Sequence, residues 1–259
     1  MTPAARATAA ALIALVPAWA QAGEVDCVYE RGVVVIPASV AGMAGDYILD
    51  TGSPNTQLHE TKAQMAGFEA SALRGRVLIA GLDLRDRPIA VIDLDARTAA
   101  FPTPIAGVIG ADLLAPYVVD VRFSPCRVAI RRPREARRFA AGVVLPMGPG
   151  AVASARAAVA DGRHAQAGEM VLSTGSDAAL RMHRRLAGST GDPEALLPFG
   201  ERRATLRALS FAGVLFENVP AGLLADGEPG ALGVIGAPLL AHWRVRFDFP
   251  RRRVQLAPP

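Results

Sequence analysis

Residues 47–58, YILDTGSPNTQL, carry an apolar run into Asp50 and then turn on Thr51 and Gly52. A carboxylate delivered by a strand to a tight turn can take a proton from water. Hydrolysing an amide this way also needs an acid, and two carboxyl groups sharing one proton fill both roles, because like charges that close cannot both ionise. Each must sit on a turn that aims it at its twin, with a glycine that lets neighbouring backbone N–H groups approach. Residues 169–183, EMVLSTGSDAALRMH, repeat the phrase with Ser173 in the acid's place. A serine hydroxyl donates and accepts hydrogen bonds and can orient a water, but near neutral pH it is no carboxylic acid. The pattern thus offers one carboxylate, Asp50, and one hydroxyl, Ser173, on matched turns. Losing one member of a cooperating pair usually costs orders of magnitude in rate. Asp177, four residues past Ser173, either reaches inward as a substitute carboxylate or caps a following helix, the cap being the stronger reading.

What must position these residues is a duplication. Residues 107–130, GVIGADLLAPYVVDVRFSPCRVAI, and 233–256, GVIGAPLLAHWRVRFDFPRRRVQL, align without a gap and are identical at 12 of 24 positions. Asp50 lies 57 residues before the first block and Ser173 lies 60 before the second. Two marks at matched spacing divide the chain into lobes of residues 23–136 and 137–259, joined near RRPREARR. Within each lobe the local signals are short strands: GVVVIPASV, DYILD, RVLIAGLDL, RPIAVIDL, YVVDVRF and RVAIRR, then AVASARAAVA, EMVLS, ATLRALSFAGVLF, WRVRFDF and RRVQLAP. Short helices are predicted at ETKAQMAGF, ADLLAPY and DAALRMHRRLA. The expectation is an all-β chain with two like lobes, since no long amphipathic helices separate the strands.

YILDTGS together with GVIGADLL resembles the active-site loop and the later apolar-apolar-Gly segment of the pepsin and retropepsin aspartic peptidases. The two-lobed chain is most similar to exported bacterial members of that group, with a degenerate second motif. The resemblance implies two similar β-barrel-like lobes in a duplicated acid-protease fold. It implies that Asp50 is the catalytic carboxylate and that Thr51 bonds across the interface to the opposite loop. Gly52 N–H and the Ser53 hydroxyl would hold the carboxylate. Ile109 and Gly110 would pass beneath the first loop, and Ile235 and Gly236 beneath the second. Thr174 and Gly175 match the motif, while Ser173 departs from it. The hairpin that closes over peptide in that family has little room in the first lobe, and GSTGDPEALLPFGERR gives more in the second. Three functional readings follow. The first is an aspartic endopeptidase without cofactor, cutting peptide or unfolded protein with a water activated by Asp50 and favouring acidic pH. The second is a pseudo-peptidase of the same fold that binds peptides or a partner protein. Both of these are served by a monomer; the third is a homodimer that reunites two copies of Asp50.

Composition narrows the remainder. The N-terminus, MTPAARATAAALIALVPAWAQAG, has Arg6, a short apolar run and small residues at Ala18, Ala20 and Ala22, the outline of a signal peptide over residues 1–22. The run is far below the roughly 20 residues of a spanning helix, which argues against a membrane anchor. An exported chain, periplasmic or secreted, places Cys27 and Cys126 where one bridge can form. Bridging a loop of that length stabilises by about 4–5 kcal/mol on a chain-entropy account. Two buried free thiols are the alternative. The formal charge of +4 is carried by arginine, with Lys62 the single lysine. Arginine clusters beside apolar strands and 5% aromatics, without a recognisable module, argue against nucleic acid. His59, His164, His183 and His242 are scattered without metal-ligand spacing and read as surface or helix-flank residues. GPGAVA at 148–153 mimics a dinucleotide fingerprint but reads as a turn, because it holds a proline and no long helix follows.

Overall fold

The computed structural model describes residues 23–161, 164–183, 202–224 and 231–259. The expected signal peptide lies outside the described residues. In the first lobe, β1 (Glu24–Asp26) and β2 (Val28–Glu30) lead into β3 (Val33–Val40), β4 (Met43–Leu49) and β5 (Gln57–His59). Helix α1 (Glu60–Met65), β6 (Ala72–Ile79), β7 (Leu82–Ile92), α2 (Asp95–Thr98) and β8 (Ile105–Ile109) follow. The pairing order β3-β4-β8-β5-β7-β6 returns on itself where Ala38–Val40 pairs with Val77–Ile79, so the lobe is a closed six-strand barrel with β2 attached outside. After α3 (Ala111–Leu114), β9 (Val118–Phe123), β10 (Cys126–Arg131) and β11 (Val143–Pro146), the second lobe closes in the order β12-β13-β17-β14-β16-β15. Its strands are β12 (Ser154–Asp161), β13 (His164–Ser173), β14 (Leu180–His183), β15 (Arg202–Phe211), β16 (Val214–Leu224) and β17 (Gly233–Gly236). Helix α4 (Ala237–Leu240), β18 (Arg244–Asp248) and β19 (Arg253–Ala257) complete the chain.

The lobes are not independent, because both contribute to a third sheet, β1-β10-β9-β18-β19-β11. Its centre is a cross-lobe pairing that sets Val245 against Val121 and Arg246 against Asp120. The duplicated GVIGA blocks thus do two jobs: their first halves pass under the loops that carry Asp50 and Ser173, and their second halves build this shared floor. Closed barrels leave no edge to protect, and the shared sheet fixes one lobe on the other. The Cys27–Cys126 disulfide is formed and ties the β1–β2 junction to the start of β10.

Burial explains which strands alternate. β12 reads as buried and exposed residues in turn, one face to its barrel and one to water, whereas every residue of β8 is buried. The reason is a second, smaller cluster on the far side of β8, where Val33, Val35, Ile48, Ile105 and Val108 pack with Leu94, and Phe101 packs against them. Leu94 and Phe101 flank α2, so this patch seats the segment between β7 and β8.

The structure corrects three expectations. RVLIAGLDL and ATLRALSFAGVLF are each two strands, split by two-residue turns at Ala80–Gly81 and Ala212–Gly213, all four residues having positive φ. The first-lobe hairpin is consequently long, with strands of 8 and 11 residues, although none of its residues from 72 to 90 lines the interlobe groove. The helix expected from Asp177 is instead the strand β14, since Leu180, Arg181 and Met182 pair with Ile235, Val234 and Gly233. Most of the longer second-lobe loop, 188–203, lies outside the described residues.

Candidate active site

β4 delivers Asp50 and β13 delivers Ser173, each by a parallel pairing with a strand of its own lobe, β8 and β17. Leu49 stands opposite Ile109, Leu172 opposite Ile235, and Ser173 opposite Gly236. Asp50 N–H donates to the Ile109 carbonyl at 2.9 Å, which locks the carboxylate to the strand beneath it. Gly110 N–H donates to Thr56 Oγ1 at 3.1 Å, and Gly236 N–H to the Ala179 carbonyl at 3.0 Å. These contacts set Ile109 and Gly110 beside the first turn and Ile235 and Gly236 beside the second.

The two loops brace each other through their threonines. Thr51 Oγ1 donates to the Leu172 carbonyl at 2.7 Å, and Thr174 Oγ1 donates to the Leu49 carbonyl at 2.6 Å. Thr51 N–H in turn donates to Thr174 Oγ1 at 3.2 Å, and Thr174 N–H to Thr51 Oγ1 at 3.3 Å. All of these groups are buried, where a satisfied polar network rigidifies its surroundings. The close approach also explains the glycines. A Cβ on Gly52 would stand 2.7 Å from the Ser173 Cβ, and one on Gly175 would stand 2.6 Å from the Asp50 Cβ.

The result is a juxtaposition of the two sequence-marked side chains. Ser173 Oγ donates to Asp50 Oδ1 at 2.7 Å, and Gly52 N–H donates to the same oxygen at 2.8 Å. Gly175 N–H donates to Ser173 Oγ at 3.3 Å, so the second turn holds its hydroxyl as the first holds its carboxylate. The loop facing Asp50 belongs to the same chain. Ser53 departs from expectation: its hydroxyl donates to the Asn55 carbonyl at 3.0 Å, and Ser173 takes the place at Asp50 Oδ1. Asp177 is committed to Arg181 at 2.7 Å and supplies no second carboxylate beside Asp50.

Arg97, which carried no signal in the sequence, completes the site. Its guanidinium donates to Asp50 Oδ2 at 2.6 Å and to the Gly175 carbonyl at 3.0 Å, bridging the two lobes. Arg97 sits on α2, whose entry is held by Asp95 N–H donating to Asp93 Oδ1 at 2.8 Å. His59 Nε2 lies 3.1 Å from Asp95 Oδ1 and secures the same segment. His59 directly precedes α1, a helix-flank position as expected, and it is buried rather than at the surface. It and the two aspartates offer ligand atoms within 4.8 Å of one another, although sequence spacing gave no such cluster.

Around these groups lies a groove of about 380 Å³. Val33, Ile48, Leu94 and Phe101 give it an apolar wall, and Val171 and Val234 face them from the second lobe. Ser176 also lines the groove, and its Oγ is buried without a hydrogen-bond partner. The sequence matches no family model and no curated protein. The structure is similar to that of an aspartic proteinase from Irpex lacteus, with a TM-score of 0.54 over 91% of this chain and 97% of that one. The fold is that of the pepsin-like aspartic proteinases. Sequence identity to that enzyme is 14%, so the likeness describes architecture, and the chemistry must come from the groove itself.

Proposed function

We propose that the chain binds an extended peptide in the groove between its lobes and hydrolyses it with a water activated by Asp50. The observation that carries this reading is the reciprocal threonine brace, which fixes Asp50 and Ser173 within 2.7 Å of each other on the groove floor. In the reaction, Asp50 takes a proton from water as the hydroxide adds to the peptide carbonyl. It returns that proton to the leaving amine when the C–N bond breaks, so one carboxyl group serves in turn as base and acid. The Ser173 hydroxyl supplies a neutral hydrogen bond in place of the second carboxyl. Arg97 must leave Asp50 Oδ2 before a water can reach it. The exported, periplasmic or secreted location read from residues 1–22 suits an unfolded-protein substrate and belongs to the same proposal.

The Arg97 ion pair favours a second reading, in which the chain holds peptide without cutting it. Both Asp50 oxygens are occupied, and the second carboxyl of a proton-sharing pair is gone. Incubation with reduced and alkylated casein across about pH 3 to 8, the range over which a carboxyl group changes state, separates the readings. Peptide products that disappear in Asp50→Asn with an unchanged circular dichroism spectrum support hydrolysis. Binding without products supports the second reading. Equal turnover by both proteins removes Asp50 from the chemistry.

A further inference from the structure

The sheet shared by the lobes holds a cavity of about 200 Å³ that has no lining residue in common with the groove. Six arginines line it (Arg122, Arg127, Arg131, Arg137, Arg138 and Arg244) against two acids, Glu24 and Asp120. The acids are already engaged. Asp120 receives both arms of buried Arg246 at 2.6 and 2.7 Å, and Glu24 accepts from buried Arg131 at 2.8 Å. Arg127 lies 2.8 Å from Asp26. Arg122, Arg138 and Arg244 meet no carboxylate among the described residues. Arg122 Nε donates to the Pro125 carbonyl at 3.1 Å, and the Arg244 guanidinium lies 5.9 Å from the centre of the Phe139 ring.

Guanidinium groups gathered at one concavity repel one another until an anion joins them, and their forked donors match the oxygens of phosphate. The floor is preorganised, because the Asp120 and Glu24 pairs hold Arg246 and Arg131 in place. The Arg137 carbonyl accepts from Arg246 at 2.9 Å, which fixes the segment carrying Arg138 over the sheet. The volume suits one or two phosphate groups, being that of roughly six or seven water molecules at about 30 Å³ each. We propose that this cavity binds a small phosphate-bearing anion, gripped by Arg122, Arg138 and Arg244. Such a group comes either from a free phosphate compound or from the headgroup of a phospholipid. The site is separate from the groove and stands whether or not the chain cuts peptides.

Calorimetric titration with pyrophosphate near 0.15 M salt tests it, using the purified protein and a variant carrying Arg122→Gln, Arg138→Gln and Arg244→Gln. A control carries Arg74→Gln, Arg76→Gln and Arg85→Gln on the distant β6–β7 hairpin and loses the same formal charge. Saturable one-site binding is expected in the protein and the control, weakened about tenfold for each guanidinium removed from the cavity. The single change Arg138→Gln, at an exposed position, gives the tenfold step even if the triple variant folds poorly. No binding by the unaltered protein, or equal affinity in the cavity variants, overturns the proposal. Flotation with phosphatidic acid in phosphatidylcholine vesicles then separates the sources. Vesicle binding that pyrophosphate displaces assigns a lipid headgroup, and pyrophosphate binding without vesicle binding assigns a free phosphate compound. Vesicle binding that pyrophosphate leaves intact overturns the pocket.

Discussion

Truncating Arg97 to alanine removes a guanidinium that stands 2.6 Å from Asp50 Oδ2 and 3.0 Å from the Gly175 carbonyl. The Asp50 side chain is 7% exposed and that of Arg97 is 29% exposed. The pair therefore lies between surface ion pairs, worth about 0–1 kcal/mol, and fully buried ones, where deleting one partner costs about 3–5 kcal/mol. Asp50 keeps the hydrogen bonds from Gly52 N–H and the Ser173 hydroxyl, which limits the loss to about 2 kcal/mol. At about 2–4 °C per kcal/mol for a chain of this size, the melting temperature should fall by about 4–8 °C. The same contact ties the two lobes across the groove floor. If it disfavours the open form by about 2 kcal/mol, the open form is populated at about 3%, and removing the contact tightens peptide binding about thirtyfold.

Thermal melts and fluorescence anisotropy with fluorescein-labelled alkylated casein, run on the same preparations, read the two effects together. A lower melting temperature with tighter binding is the expected result. A lower melting temperature with weaker or unchanged binding would mean that Arg97 contacts the ligand instead of covering Asp50, and the reasoning fails. Asp50→Asn is the comparison: Arg97 is exposed enough to swing into water, so this change should cost less than about 1 kcal/mol. Equal destabilisation by the two substitutions would contradict the burial asymmetry.

Ser173→Asp places a second carboxyl beside Asp50 and should raise casein cleavage at acidic pH by at least about tenfold; no gain in a folded variant would mean that the facing turns do not cooperate. Thr174→Val strips a buried hydroxyl that donates to the Leu49 carbonyl and accepts from Thr51 N–H, and should lower unfolding free energy by about 2–4 kcal/mol in urea melts. A change below about 0.5 kcal/mol would remove the brace from the energetics. Tyr47, fully buried and donating to the Met43 carbonyl, has its phenol pushed up to about 12 by burial. The folded state favours the neutral phenol, so this stabilisation is intact below about pH 10 and is lost as pH rises through about 12. Denaturant melts should show up to about 2–3 kcal/mol of it disappearing in that window, and Tyr47→Phe should flatten the slope.

The strands and turns that carry Asp50 and Ser173 were legible because their signals are local and repeated: an apolar run, then Thr-Gly, then a second apolar-Gly strand at matched distance. The same locality misled elsewhere. Ala80–Gly81 and Ala212–Gly213 make tight turns without the Asn or Asp that usually announces one, so each hairpin read as a single strand. Asp177 looked like a helix cap because nothing nearby in sequence says that Leu180–Met182 will pair with a strand more than fifty residues later. Ser53 was given a bond that the fold awards to Ser173, since the geometry of one loop depends on the other loop's side chain. Arg97 was invisible for the same reason. Its two partners lie 47 and 78 residues away, and only the seating of Leu94 and Phe101 on the small cluster beside β8 aims it at them.

These features bear on how the two-lobed arrangement holds with a single carboxylate at the facing turns. What joins the loops is the pair of threonines and the contact of Gly52 and Gly175 with the opposite turn, and none of it uses a carboxyl group at position 173. The difficulty created by a serine there falls on Asp50 instead, because a lone carboxylate buried between apolar barrels is costly unless donors surround it. Ser173 Oγ, Gly52 N–H and the Arg97 guanidinium are those donors, and the last also neutralises the charge. A second aspartate would have met the same need by sharing a proton. Arg97 and Ser173 are therefore one solution rather than two accidents, and the arginine that keeps Asp50 satisfied is also the group that any water approaching Asp50 Oδ2 must displace.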